Sequence, residues 1–302
     1  MGLVPSSLAP SSLRRRRGFF SDDGTKAWRR IEITMAFVVS RQRKIFYDLD
    51  GERGPYLLLY PSLWMDLQSW EEAGYLDVLQ QEYRVLRMDP LGQGRSDDSD
   101  DISDYLPAAR LQDLCCLLTA LELDNVHFLG IGEGARIGYL LSAWEPNRLR
   151  SMAVLDGHPY VPEEYEKKTW QQHVDWVKAQ DWEKLRQEPG LKELSDLQWD
   201  RMQKVKSSNR IAALQAEMQW PGVDQELPPS PSAPGMLFTS TRESSFMKMR
   251  EAGRNCAYWR YHIFPQLEYR EGLLDSEILL PAYLDFVRRQ RWVPRNYEGG
   301  YL

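Results

Sequence analysis

Five residues, Gly130-Ile131-Gly132-Glu133-Gly134, follow the apolar run Val126-His127-Phe128-Leu129 and precede a stretch of helical period, Ala135 to Trp144. Small residues at such a junction let a strand turn tightly into a helix, and the free N–H groups at the helix start can face an anionic oxygen. The middle residue limits the chemistry. Gly132 has no side chain, so this position cannot attack a carbonyl or an epoxide carbon. Groups able to move protons stand around it: Glu133 within the run, Asp156 and His158 after the next apolar run, and Glu243 after a later one. Of the four histidines, His127, His158, His173 and His262, a displaced base would use His158 or His262, while a plain structural role suits all four.

A second reading of the same junction competes with the first. Gly130-x-Gly132-x-x-Ala135 after a strand also fits a short dinucleotide fingerprint, and Asp156 closes the next strand, where a ribose-binding acid is expected. Against it, Glu133 would set a carboxylate beside the phosphates. No cofactor is therefore expected, and no metal: Cys115, Cys116 and Cys256 lack the spacing of a metal knuckle or a disulfide framework.

These residues need elements to hold them. The run Tyr56 to Tyr60 is uniformly apolar, as a strand buried on both faces is, and it stops at Pro61. The pattern then predicts a helix over 67–81, a strand Tyr83 to Met88 ending at Asp89-Pro90, an amphipathic helix Ala108 to Leu123, the strand before Gly130, and another strand Met152 to Leu155. Strands alternating with helices indicate parallel pairing in an open, doubly wound sheet. Residues 159–228 break the rhythm with helical runs rich in Trp170, Trp176, Trp182, Trp199 and Trp220, closed by a proline-rich return. The sheet resumes at Met236 to Thr239 and Cys256 to Ile263, and Ile278 to Arg289 makes a last helix.

In this order the signals resemble the α/β-hydrolase superfamily, in particular its lid-bearing members, over about residues 40–292. Met88 to Asp98, MDPLGQGRSDD, is similar to the D-x-x-G-x-G-x-S loop of those proteins, with Asp89 and Ser96 as braces. The family's G-x-S-x-G falls on Gly130 to Gly134, so the elbow is kept while its serine is replaced by Gly132. The family's histidine loop matches Phe264 to Arg270, which has none, and Glu243 falls near the family's acid. Tyr60-Pro61-Ser62-Leu63-Trp64 stands where many members have His-Gly. The resemblance implies that the amides of Ser62 or Leu63 and of Glu133 face a ligand oxygen, with Trp64 as a pocket wall.

The implied architecture is α/β: a mostly parallel central sheet with helices on both faces. Residues 1–34 read as a disordered extension, 35–158 and 229–302 as the two parts of the core, and 159–228 as a helical lid. The extension holds the basic run Arg14 to Arg17, which allows organelle targeting, but no apolar stretch long enough for a membrane span; the cytoplasm is the expected compartment. With 38 Lys and Arg against 44 Asp and Glu, mixed along the chain, the net charge of −6 gives no nucleic-acid surface. A small organic ligand is the expected partner; oligomeric state is not readable. Three function classes stay open: a repurposed enzyme of lyase, isomerase or cyclase type working without a covalent intermediate, a noncatalytic small-ligand receptor, and a hydrolase with a displaced site.

Overall fold

The computed structural model describes residues 13–20, 26–33, 36–189, 191–192, 194–228, 231, 233–241, 245–256, 258–265 and 275–290, the first two stretches as backbone. Within 1–34 the backbone forms an antiparallel pair, β1 (Leu13–Phe20) against β2 (Lys26–Ile33), as a two-stranded sheet apart from the main one.

The main sheet has eight strands: β3 (Ala36–Ser40), β4 (Arg43–Asp50), β5 (Tyr56–Tyr60), β6 (Arg84–Met88), β7 (Val126–Ile131), β8 (Leu149–Leu155), β9 (Gly235–Ser240) and β10 (Trp259–Phe264). Their order is β10-β9-β8-β7-β5-β6-β4-β3. The pairs from β10 through to β6 are parallel, and β4 with β3 adds an antiparallel hairpin at one edge. Chain direction along the sheet reverses at β5, which lies between β6 and β7. In open α/β sheets a crevice forms beyond the carboxyl ends of the strands at such a reversal.

Alternation along the strands divides the core. Leu57, Leu59, Val85, Leu129 and Phe238 face one layer with α1 (Leu67–Glu72), α2 (Tyr75–Leu79) and the last helix, α10 (Ser276–Arg289). Leu58, Leu86, Phe128 and Val154 face the other, with α3 (Pro107–Ala120) and α4 (Glu133–Trp144). The helix expected over 67–81 is two helices. Gly74, at φ 79°, breaks it, and the Asp66 side chain caps the first piece by accepting from Ser69 N–H.

Between β8 and β9 the chain makes α5 (Glu164–Ala179), α6 (Trp182–Arg186), α7 (Asp196–Gln203) and α8 (Ser207–Met218). Trp199 and Trp220 of this insertion are buried, with Trp170, Trp176 and Trp182 partly so. After β9 comes α9 (Phe246–Asn255). Among the described residues no helix is long and apolar enough to cross a membrane.

Candidate functional site

Gly132 sits at the turn from β7 into α4 with φ 58° and ψ −117°, a conformation that a side chain makes costly. Its N–H donates to Leu155 O at 2.9 Å, tying the turn to the end of β8. Helix and strand meet so closely that a Cβ on Gly134 would lie 2.6 Å from Tyr60 O and 2.8 Å from Pro61 O. The small residues of the run thus have a steric cause, and the elbow lies beside the loop that follows β5.

That loop is fastened from the core side. The Gln93 carboxamide donates to the carbonyls of Ser62, Leu63 and Met65 at 2.8–2.9 Å, and the buried Arg210 guanidinium donates to Leu63 O and Met202 O. Arg210 also lies 4.6 Å from the Trp64 ring, and burial lowers its pKa to about 10. The neighbouring loop is braced as the sequence implied. Asp89 accepts from Leu67 N–H and Arg95 N–H, and Ser96 Oγ donates to Asp89 O while accepting from Phe46 N–H. Burial raises the Asp89 carboxyl to about 7.

A cavity of about 420 Å³ opens above Gly132. Its floor includes Gly132, Glu133, Asp156 and Gly157; Trp64 and His158 stand at its side, and α5 covers it with Tyr165, Glu166, Thr169, Trp170 and His173. Glu166, Trp170 and His173 are four and three residues apart, one face of a helix.

Of the residues expected at the site, Trp64, Gly132, Glu133 and His158 line this cavity together. Ser62 is fully buried and Leu63 nearly so, and neither is part of the lining. Leu63 N–H, expected to face a ligand oxygen, donates instead to Glu133 Oε2 at 2.9 Å. Glu133 Oε1 makes no hydrogen bond among the described residues. Glu243 lies outside the described residues. His262 is on the edge strand β10 against Phe238 and Phe264, away from the cavity lining, and His127 is bonded to Ser151 within the sheet.

His158 is only 2% exposed. Its Nε2 lies 2.9 Å from Glu166 Oε1 and 3.4 Å from Lys248 Nζ, which assigns the ring proton to Nε2 as donor to Glu166. Nδ1 is buried without a partner. Lys248 Nζ reaches Glu166 Oε2 at 2.8 Å, and Arg136 joins Glu166 at 3.7 Å and Glu217 at 2.8 Å. Burial alone would raise the Glu166 carboxyl; hydrogen bonds from His158, Lys248 and Glu163 N–H outweigh it and bring it down to about 2.

Arg136, Glu166 and Lys248 are not expected from the sequence, whereas Trp170 belongs to the tryptophan-rich insertion noted there and lines the cavity. The spacing of Glu166, Trp170 and His173 is a legible stripe, but nothing in the sequence says which way it faces. A dinucleotide at the start of α4 would meet the Glu133 carboxylate, and Asp156 Oδ1 is held by Ser245 Oγ at 2.7 Å. Among the described residues no group of three or more His, Cys, Asp or Glu is arranged to hold a metal.

The layered sheet, the elbow and the braced loops define a class of protein. A family model described as alpha/beta hydrolase fold matches residues 55–262, and the chain belongs to that family. Among named relatives, fluoroacetate dehalogenase from Burkholderia sp is 31% identical over 109 residues, 35% of this chain and 35% of that protein. The 3-oxoadipate enol-lactonase 1 of Acinetobacter baylyi is 28% identical over 126 residues, 41% of this chain and 45% of that one. The chain thus matches less than half the length of these relatives. Solved structures align more fully. An enol-lactonase from Burkholderia xenovorans LB400 has a TM-score of 0.68 at 18% identity, covering 84% of this chain and 99% of its own. The bottromycin epimerase BotH has a TM-score of 0.64 at 17% identity, covering 84% and 97%. At such identities the likeness is one of fold.

Proposed function

We propose that this chain acts on a small organic molecule in the cavity above Gly132 without a covalent intermediate, as a lyase, isomerase or cyclase-like enzyme. The observation that carries the reading is the pairing of a side-chain-free elbow with a carboxylate next to it. Gly132 offers no nucleophile, while Glu133 lines the cavity with Oε2 held by Leu63 N–H and Oε1 unbonded. A carboxylate fixed by one oxygen and open at the other suits proton transfer to or from a bound substrate. His158 then serves as a positioning residue for Glu166, since its Nε2 is engaged and its Nδ1 enclosed. Glu243 keeps its sequence-based candidacy as a second acid–base group. The presence of both an enol-lactonase and an epimerase on this fold supports a scaffold that hosts hydrolytic and non-hydrolytic chemistry.

The test is exchange of the proton on carbon next to a carbonyl, followed by NMR in heavy water over a panel of small ketones, lactones and thioesters. Exchange that falls in E133Q and persists in H158A supports the assignment. Exchange that survives both E133Q and E243Q sinks it.

A receptor reading is favoured by one observation. Hydrogen bonds and ion pairs already satisfy both oxygens of Glu166, so that group does not cycle protons near neutrality. A compound that binds and is recovered unchanged decides for the receptor.

A further inference from the structure

Among the described residues that line the cavity, acidic side chains outnumber basic ones. Arg136 is the only Lys or Arg in the lining among the described residues, and it is answered twice, by Glu217 at 2.8 Å and by Glu166 at 3.7 Å. Lys248, just behind, is likewise answered by Glu166 at 2.8 Å and Glu163 at 3.2 Å. Three further carboxylates among the described residues line the cavity: Glu133, Asp156 and Glu188. Among the described residues none of the three has a Lys or Arg within 4.0 Å. Glu188 meets His173 at 3.3 Å, Asp156 meets the Ser245 hydroxyl, and Glu133 meets only the Leu63 amide.

Two of these acids are neighbours across the sheet. Ile131 pairs with Leu155 in the parallel ladder of β7 and β8, so Glu133 and Asp156 leave the ends of adjacent strands on either side of Gly132. A Cβ on Gly157 would lie 2.8 Å from Gly132 O, which shows how closely the two turns approach. Beside them His158, 98% buried by its 2% exposure, lines the same cavity with an unpartnered Nδ1. The anion cradle expected at this spot is filled by the protein's own carboxylate, because Glu133 Oε2 takes the Leu63 N–H. An incoming anion would have to displace that bond and sit among three carboxylates.

We infer that the cavity takes an organic cation, an amine or ammonium compound with an apolar body, whose charge is met by the carboxylates of Glu133 and Asp156 flanking Gly132. Half-buried carboxylates with no described Lys or Arg in ion-pair contact favour a ligand that supplies a positive charge, and Arg210, which feels Glu133 from behind, is itself buried against Trp64 and the Leu63 carbonyl. The apolar surface that Trp64, Trp170 and Leu191 add to the lining favours a cation with an organic body. The aromatic walls supply apolar contact more than charge. Trp170 already carries Arg136 at 4.7 Å and Trp64 carries Arg210 at 4.6 Å, so the protein's own cations use the attraction of those rings. Glu133 is thereby the residue that sets charge preference. The inference rests on the small-molecule cavity of the proposed function and leaves open whether the ligand is turned over.

Binding of matched probes tests it separately from turnover: benzylammonium, its neutral isostere benzyl alcohol, and benzoate, titrated by calorimetry at neutral pH and low salt. The expected order is benzylammonium first and benzoate last. E133Q keeps an acceptor for Leu63 N–H and removes the charge, and is expected to weaken benzylammonium about tenfold while leaving benzyl alcohol within about twofold. D156N is expected to act in the same direction. Benzoate binding as tightly as benzylammonium, no measurable benzylammonium binding, or an unchanged preference in E133Q with an unaltered melting curve each overturns the inference. Failure of the proton-exchange test with the charge preference intact would overturn the catalytic reading alone.

Discussion

Glu133 Oε2 and Leu63 N–H are bonded at 2.9 Å across 70 residues of chain, joining the first turn of α4 to the loop after β5. The bond closes an amide that would otherwise point at a ligand oxygen. Glu133→Ala should cost about 1.5 kcal/mol in urea unfolding, the low end for one hydrogen bond to a charged group because water can replace it. Glu133→Gln should cost less. Equal losses for the two variants would mean that the carboxylate's charge, and not the bond, holds the loop.

Gly132→Ser should not restore hydrolysis. The serine would stand in the φ 58°, ψ −117° conformation with no imidazole nitrogen free to activate it, since His158 Nε2 is engaged and Nδ1 is enclosed. Strain at this position should lower stability by roughly 1–3 kcal/mol. Mass spectrometry after treatment with a fluorophosphonate should find no label at position 132, and strong labelling there would reveal a base that the described residues do not contain.

Two carboxyls, one half-buried and one buried, should give opposite pH dependences. Glu166 is held down at about 2 against an ordinary value of 4.5, so its contribution is present above 4.5 and lost as pH falls toward 2. The stability gap between wild type and E166Q should be about 2 kcal/mol near neutrality, as for breaking a half-buried ion pair, and should shrink through that window. Asp89 is raised by burial to about 7 from 3.8, so the protein bearing it should lose stability relative to D89N as pH rises from about 4 to 7. Unfolding in urea across pH 3–8 checks both signs, and parallel curves for either pair would contradict it.

Trp170 lines the cavity and Trp199 is buried within the insertion outside that lining. A bound aromatic cation should therefore quench fluorescence in W199F nearly as in wild type, and much less in W170F. Equal quenching in all three would place the responding tryptophan elsewhere, with Trp64 the next to test.

Much of the sheet is legible in the sequence because its central strands are buried on both faces. Tyr56 to Tyr60 is observed with the expected bounds, and the strands ending at Met88 and Leu155 end where Asp-Pro and Asp-Gly stand. The hairpin of β3 and β4 is less visible, since edge strands alternate exposed and buried residues and its turn, at Arg41 and Gln42, uses positive φ without glycine. Helix α9 is missed for a similar reason: half of its residues are polar, and Met249 and Ala252 alone are fully buried. The elbow is readable from its glycines. The fate of the Leu63 amide is not, because it depends on a side chain from another element, and the same holds for Glu166, whose helix reads as amphipathic without saying what it covers.

The loop after β5 is gripped by its carbonyls, three by Gln93 and one of those also by Arg210, while the helix above the cavity touches it through side chains. One half of the site is therefore masonry and the other half upholstery. Backbone held from beneath keeps its shape whatever sits on it, so a change in ligand size or shape is absorbed by exchanging residues on the face of α5 that carries Glu166, Trp170 and His173. The scaffold can be retuned from above while the turn at Gly132 stays as it is.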